Sequence, residues 1–285
     1  MLREFGMSIA ATVTPYDGSI TVKDEWILSK DQQYKIRLRI YRPVMQGNDF
    51  PALLWMHGGG MMVGLPEQDD VQMKQIAFET KAVVFSVDYR LAPEHVFPVP
   101  VEDCYDALQW VYAEDNSLGI DPKRVAVGGA SAGGGLAASL AIMAVRKGGP
   151  AIVHLSLTYP MLDSRNETKS SHEILDLGIW DRPYNLFGWL SYLGNQNAGA
   201  LPDYAVPALA DLSGLPPVFI AVGSLDLFRD EDLEFGLRAM AAGVSTELHF
   251  YHGAVHGFDW HIPLSAMTNS LLTKRILALK LAFQR

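Results

Sequence analysis

The chain of 285 residues contains one cysteine, Cys104, so no intrachain disulfide can form and a reducing compartment is expected. Cys104 lies in a helical stretch with no histidine close in sequence, which reads as a small buried hydrophobe and not a nucleophile. Long apolar runs are missing as well. Nothing approaches the ~18 consecutive apolar residues that a membrane-spanning helix needs. Met1 to Ala11 lacks a basic stretch followed by an apolar one, and the expectation is a soluble, cytoplasmic protein. Positive charge is in deficit: the formal net charge is −9, which argues against nucleic acid or anionic membrane as a partner. No Asp/Glu/His cluster has metal-ligand spacing, no phosphate-binding loop occurs and no internal repeat is found, so neither a metal nor another cofactor is expected. With 49% hydrophobic and 19% charged residues, the composition is globular and allows one large α/β domain or two small ones.

The densest signal runs from Arg124 to Leu140. Val125 and Val127 mark a buried strand, and the small and apolar residues from Leu136 to Val145 mark a helix. Between them stands Gly129-Ala130-Ser131-Ala132-Gly133, a G-x-S-x-G sequence. A strand, a serine and a helix in so few residues force a tight turn whose neighbours must be small. The hydroxyl of Ser131 is then held at the apex, with a helix N-terminus behind it. The pattern alone recurs by chance in roughly one chain in ten of this length, so its companions decide.

Thr21–Leu28 and Tyr34–Tyr41 alternate apolar and polar residues, as a half-exposed antiparallel pair does. Pro51–Met56 is a continuous apolar run, a buried strand, and ends in His57-Gly58-Gly59-Gly60. Three successive glycines suit a loop whose backbone N–H groups face something close. The N–H groups of Gly58 and Gly59, with that of Ala132, are candidates for an oxyanion hole, and His57 is expected to brace the loop. Glu67–Thr80 reads as helix and Ala82–Tyr89 as strand. Pro93, Pro98 and Pro100 then argue for a rigid, non-helical crossing, with Asp88, Arg90 and Glu94 as a local ion-pair scaffold. Val101–Ala113 is helical and Ala151–Tyr159 is a strand.

From residue 163 to 205 the strand rhythm stops. This stretch is first polar, then rich in aromatics, and reads as an inserted cap with its own helices. Trp180, Tyr184, Phe187 and Trp189 are candidate substrate-binding residues, with the cap's own core as the alternative place for them. Strand rhythm resumes at Pro217–Val222, and Asp226 follows in the loop at that strand's C-terminal end, where ligands bind in open parallel sheets. Asp226 is the candidate catalytic acid, and Asp230 reads as a helix cap. The last strand, Ser245–Tyr251, precedes His256-Gly257-Phe258, and Leu264–Phe283 forms a C-terminal amphipathic helix. Of the nearby histidines, His249 lies inside the strand, His252 at its end and His256 in a loop. His256 is therefore the candidate base.

The chain order Ser131, Asp226, His256, each residue following a separate strand, is the α/β-hydrolase order. Together with His57–Gly60, Asp88–Glu94, His256–Phe258 and the run Tyr204–Pro217, the chain resembles the hormone-sensitive-lipase-like family of carboxylesterases over about residues 20–285. The resemblance implies an α/β-hydrolase fold, a mostly parallel sheet flanked by helices, with one domain over 1–285 and a small helical cap at about 163–205; members of the family usually carry a longer N-terminal arm, where this chain has a short one, 1–20. It implies a serine carboxylesterase acting on short- to medium-chain acyl esters through an acyl-enzyme, with Ser131, Asp226 and His256 catalytic. It makes a homodimer plausible. Where the family often carries Asp or Thr before the nucleophile and Asn further on, this chain has Ala130 and Gly135. Three other readings stand beside it: a silent ligand-binding homologue, an amide-specific hydrolase, and an assembly role through the sheet edge or C-terminal helix.

Overall fold

The computed structural model describes Tyr16 and residues 18–113, 118–176, 179–196 and 200–284. The expected N-terminal arm lies largely outside these residues. In chain order the elements are β1 (Ile20–Leu28), β2 (Lys35–Pro43), β3 (Phe50–Met56), α1 (Asp70–Thr80), β4 (Val83–Asp88), α2 (Val99–Ala113), β5 (Ile120–Ala130) and α3 (Ala132–Lys147). There follow β6 (His154–Thr158), α4 (Lys169–Glu173), α5 (Arg182–Leu193), β7 (Val218–Leu225), α6 (Arg229–Ala241), β8 (Thr246–Val255), α7 (Phe258–His261) and α8 (Ala266–Ala282).

The eight strands form one sheet in the order β1-β2-β4-β3-β5-β6-β7-β8. β1 and β2 pair antiparallel, with Ile20 opposite Pro43, and β2 pairs antiparallel with β4. Every pair from β4 to β8 is parallel. A parallel strand covered on both faces reads as an unbroken apolar run, and β3 is buried along its whole length. Its side chains alternate between two cores: Leu53 and Trp55 join α1 and α8 on one face, and Ala52, Leu54 and Met56 join α2 and α3 on the other. β1 lies at the sheet margin and exposes Trp26 and Leu28. The C-terminal ends of β3, β5, β6, β7 and β8 therefore face one edge of the sheet, and the loops leaving them converge there.

The proline crossing differs from expectation. Pro100 lies in the first turn of α2, where its missing N–H has no helical acceptor to lose. Arg90 and Asp88 each pair outside the local scaffold expected of them. The Arg90 guanidinium forks onto Asp103 of α2, which is fully buried, at 2.6 Å (Nη2–Oδ1) and 2.9 Å (Nε–Oδ2). Asp88 instead accepts from Arg37 of β2 at 2.9 Å. Both partners are distant in sequence, which is why the local pattern missed them. Cys104 is buried in α2. β8 extends to Val255, so His252 lies inside the strand, and His256 is the first residue beyond it.

Candidate active site

The turn from β5 into α3 holds Ser131 at φ 56°, ψ −124°, outside the regions an L-residue prefers. Small residues permit that turn. A Cβ on Gly129 would stand 2.2 Å from the Gly133 carbonyl oxygen, and one on Gly133 would stand 2.1 Å from that of Met56. The strained backbone is held by three hydrogen bonds: Ser131 N–H donates to Thr158, and its carbonyl accepts from Gly135 and Met161. Gly135, where the family often has Asn, has no room for a side chain, because the Met161 carbonyl oxygen lies 2.1 Å from where its Cβ would be.

The loop after β3 leans on this turn. A Cβ on Gly58 would lie 3.3 Å from Ser131 Cβ, and Gly59 adopts φ +125°, where a Cβ would meet the Val63 carbonyl at 2.0 Å. Among the described residues no backbone carbonyl accepts from the N–H of Gly58 or Gly59. The N–H of Ala132, first in α3, has no intrahelical acceptor. His57 is fully buried, stacks on Tyr89 at 4.3 Å between ring centroids, and donates from Nδ1 to the Gly58 carbonyl at 2.8 Å. Burial pushes its imidazole below the ordinary histidine range, which keeps it neutral. Its contacts are those of a brace.

Asp226 and His256 arrive from β7 and β8. His256 Nε2 is 2.9 Å from Ser131 Oγ, and Nδ1 is 2.9 Å from Asp226 Oδ2. Asp226 is fully buried, and its Oδ1 accepts the Phe228 N–H at 2.9 Å. The acidic run that follows anchors the chain after β6. Asp230 accepts the Ser170 N–H at 2.7 Å, and Glu231 accepts those of Leu162 and Asp163. Asp230 is thus no N-cap for α6, whose N-cap position is Phe228 without a capping side chain. Burial pushes the carboxyls of Glu231 and Asp232 well above the usual range.

Ser131 and His256 open onto a cavity of about 1160 Å³. Of the four aromatic residues named from the sequence, Trp180, Tyr184 and Phe187 line it. Trp189 does not: it is 3% exposed, its ring packs against Tyr192 at 6.0 Å, and it belongs to the core. The reason is helical phase, because two residues along α5 turn Trp189 about 200° away from Phe187. Asn185 fixes Trp180 by accepting its indole N–H at 3.1 Å.

Sequence reasoning missed the opposite wall. Tyr159, just after β6, sets its ring edge-on to His256 at 4.7 Å, and its hydroxyl donates to Asp259 at 2.5 Å. Asp259 also accepts from Gln72 at 3.0 Å, and Asp69 accepts the Trp55 indole N–H at 2.7 Å. All of these except Trp55 line the cavity. Position at a strand's C-terminal end was the one signal available for Tyr159. Desolvation, aided by Asp259 and opposed by Trp55 and Arg275, pushes the Asp69 carboxyl up to about 7. From ~3.9 in the unfolded chain, the native protein holds this proton between pH 4 and 7 while the unfolded chain has lost it, so stability falls as pH rises through that window. Asp69→Asn has no such proton. Chemical denaturation is expected to show the variant gaining on the wild type by up to roughly 4 kcal/mol between pH 4 and pH 8. A pH-independent difference would mean that Asp69 stays ionised.

Among the described residues no group of His, Cys, Asp and Glu is arranged to hold a metal ion, and no helix is long and apolar enough to cross a membrane. A serine on a strained strand-to-helix turn, at the C-terminal edge of a mostly parallel sheet, defines a hydrolase class. The chain belongs to the α/β-hydrolase fold family, which it matches over residues 53–260, and within it to the hormone-sensitive-lipase-like group. Carboxylesterase NlhH of Mycobacterium tuberculosis is 37% identical over 238 residues, covering 82% of this chain and 75% of the relative. A bacterial heroin esterase superposes with a TM-score of 0.94 at 36% identity, over 99% of this chain and 90% of its own. EstE1, a thermophilic carboxylesterase cloned from a metagenomic library, gives 0.91 at 32% identity, over 100% and 96%.

Proposed function

We propose that this serine carboxylesterase hydrolyses short- to medium-chain acyl esters by two-step acyl transfer. His256 takes the Ser131 proton as Oγ attacks the ester carbonyl, and Asp226 holds the imidazole tautomer and stabilises the imidazolium. The N–H groups of Gly58, Gly59 and Ala132 receive the oxyanion, each such donor contributing ~3 kcal/mol to the transition state. The alcohol leaves with a proton from His256. Water, activated by the same imidazole, then frees the acid and restores Ser131. One observation carries this reading: His256 stands 2.9 Å from Ser131 on one side and 2.9 Å from Asp226 on the other.

The whole chain serves as one hydrolase domain, with residues 163–205 as its cap. Ile179, Trp180, Tyr184 and Phe187 bring apolar surface to the cavity, which suits a hydrophobic group on the substrate. The single, buried Cys104 agrees with a cytoplasmic setting, and the family resemblance favours a homodimer. A chain-length series of p-nitrophenyl esters, run beside the matching p-nitroanilides, tests the reading. The expected result is a maximum of kcat/KM at short to medium acyl length and rates at least about a hundredfold lower on the anilides. Anilides cleaved as fast as esters would move the assignment to an amide hydrolase.

A further inference from the structure

Two walls of the cavity are bare glycine backbone, and consecutive residues of the inserted segment cover them. Ile179 rests on the turn after the base: its Cδ1 lies 3.4 Å from where a Cβ on Gly257 would stand. Trp180 rests on the glycine loop. A Cβ on Gly60 would lie 2.0 Å from Cη2 of the indole, 2.8 Å from Cζ3 and 2.9 Å from Cζ2. Gly188 lets α5 close in from the same side, since a Cβ there would be 3.2 Å from the Gly60 carbonyl oxygen and 3.3 Å from Trp180 Cζ2.

The loop needs this cover at one place. The Gly58 carbonyl accepts from His57 at 2.8 Å and from Gln68 at 3.3 Å. That of Gly59 accepts the N–H groups of Met62 and Val63, and that of Met61 accepts from Ala92. No backbone N–H among the described residues donates to the Gly60 carbonyl. Gly60, at φ +62°, is thus the link that packing must hold, and it directly follows the two glycines whose N–H groups receive the oxyanion.

The indole is itself held from behind. Its N–H donates to Asn185 Oδ1 at 3.1 Å, and Asn185 Nδ2 donates to Asn166 Oδ1 at 2.5 Å. Both asparagines are fully buried, and the Asn166 carbonyl accepts from Arg182. A buried amide on the inner face of α5 is costly unless it is bonded, and here each bond serves to fix the ring. Without Asn185 the indole N–H has to find another acceptor, and the ring must turn off Gly60 to reach one. We propose that Asn185 and Trp180 are positioning residues for the oxyanion hole: Asn185 pins the indole, and the indole pins Gly60. The N–H groups of Gly58 and Gly59 then keep their aim without rearrangement during the reaction. This rests on the serine esterase reading above.

The test uses p-nitrophenyl acetate, whose acyl group is too small to need the indole as a wall. Rates are referred to the active sites titrated with an organophosphate, so misfolded material does not count. Asn185 does not line the cavity. Asn185→Leu is nevertheless expected to lower kcat about tenfold with KM within about twofold. The inhibition constant of trifluoroacetone should rise by a similar factor, because that ketone takes Ser131 Oγ at its carbonyl carbon and leaves an oxyanion in the same hole. Trp180→Phe loses the indole N–H and the ring atoms that cover Gly60. It should show the same loss, and adding Asn185→Leu to it should cost less than about twofold more. Should Asn185→Leu not fold, Trp180→Phe decides alone through kcat and the inhibition constant. Both unchanged in that variant, a rise confined to KM, or two losses that simply multiply would each overturn the positioning role. A wild type that neither cleaves the acetate nor binds the ketone overturns the esterase reading, and this role with it. An active wild type beside unaffected variants overturns the role alone.

Discussion

Replacing Ser131 with alanine is expected to lower kcat for p-nitrophenyl butyrate on the order of 10^5- to 10^6-fold while leaving the fold intact. Among the described residues, the nucleophile's hydroxyl is hydrogen-bonded to His256 alone. The bonds that hold its strained φ of 56° are made by backbone atoms, to Thr158, Gly135 and Met161, and alanine keeps all of them. Alanine also bears the same backbone strain as serine, so the thermal midpoint should move little. What remains is the carbonyl polarisation supplied by the glycine loop, acting on a bare water. Steady-state rates together with a thermal melt check this. Activity above a hundredth of the wild type in a well-folded variant would show that another group attacks the ester.

Much of this arrangement can be read from the chain because the active side chains sit at junctions that sequence patterns mark. Ser131, Asp226 and His256 each follow an apolar run, and parallel strands present all their C-terminal ends to one edge, so order alone brings the three into one neighbourhood. The glycine loop announces itself because Gly59 at φ +125° admits no other residue. What escapes such reading is pairing at a distance. Arg90 and Asp103 are separated by a proline-rich crossing whose path no local pattern gives, and the near neighbour Asp88 is taken by Arg37 of β2. Trp189 is a different kind of miss. The helical period of α5 already sets Asn185, Trp189 and Tyr192 on the buried side and Tyr184 and Phe187 on the open one, so phase and not composition held the answer. Tyr159 and Asp259 escaped for a third reason: neither carries a motif, and their place in the wall depends on how β6 and the turn after His256 meet.

Asp226→Asn is expected to cost ~10^4-fold in kcat although it changes the side-chain volume hardly at all. The reason lies in the two jobs of this carboxylate. Oδ1 accepts the Phe228 N–H at 2.9 Å, and Oδ2 accepts from His256 Nδ1 at 2.9 Å. An amide has one acceptor and one donor end. Buried in the same place, its oxygen is claimed by the Phe228 N–H, because the opposite orientation would set an NH2 against that N–H with no acceptor between them. The NH2 then faces His256 Nδ1 and donates to it. The imidazole must answer with its lone pair on Nδ1 and its proton on Nε2, the nitrogen that lies 2.9 Å from Ser131. A protonated Nε2 cannot accept the serine proton, so the nucleophile stays a neutral hydroxyl. The loss should fall on kcat with KM little altered, since Asp226 does not line the cavity. Raising the pH should recover part of it, because hydroxide can then do what the imidazole no longer does. A drop smaller than about tenfold would mean that His256 keeps its working tautomer without a carboxylate, and that Asp226 serves the fold and not the proton transfer.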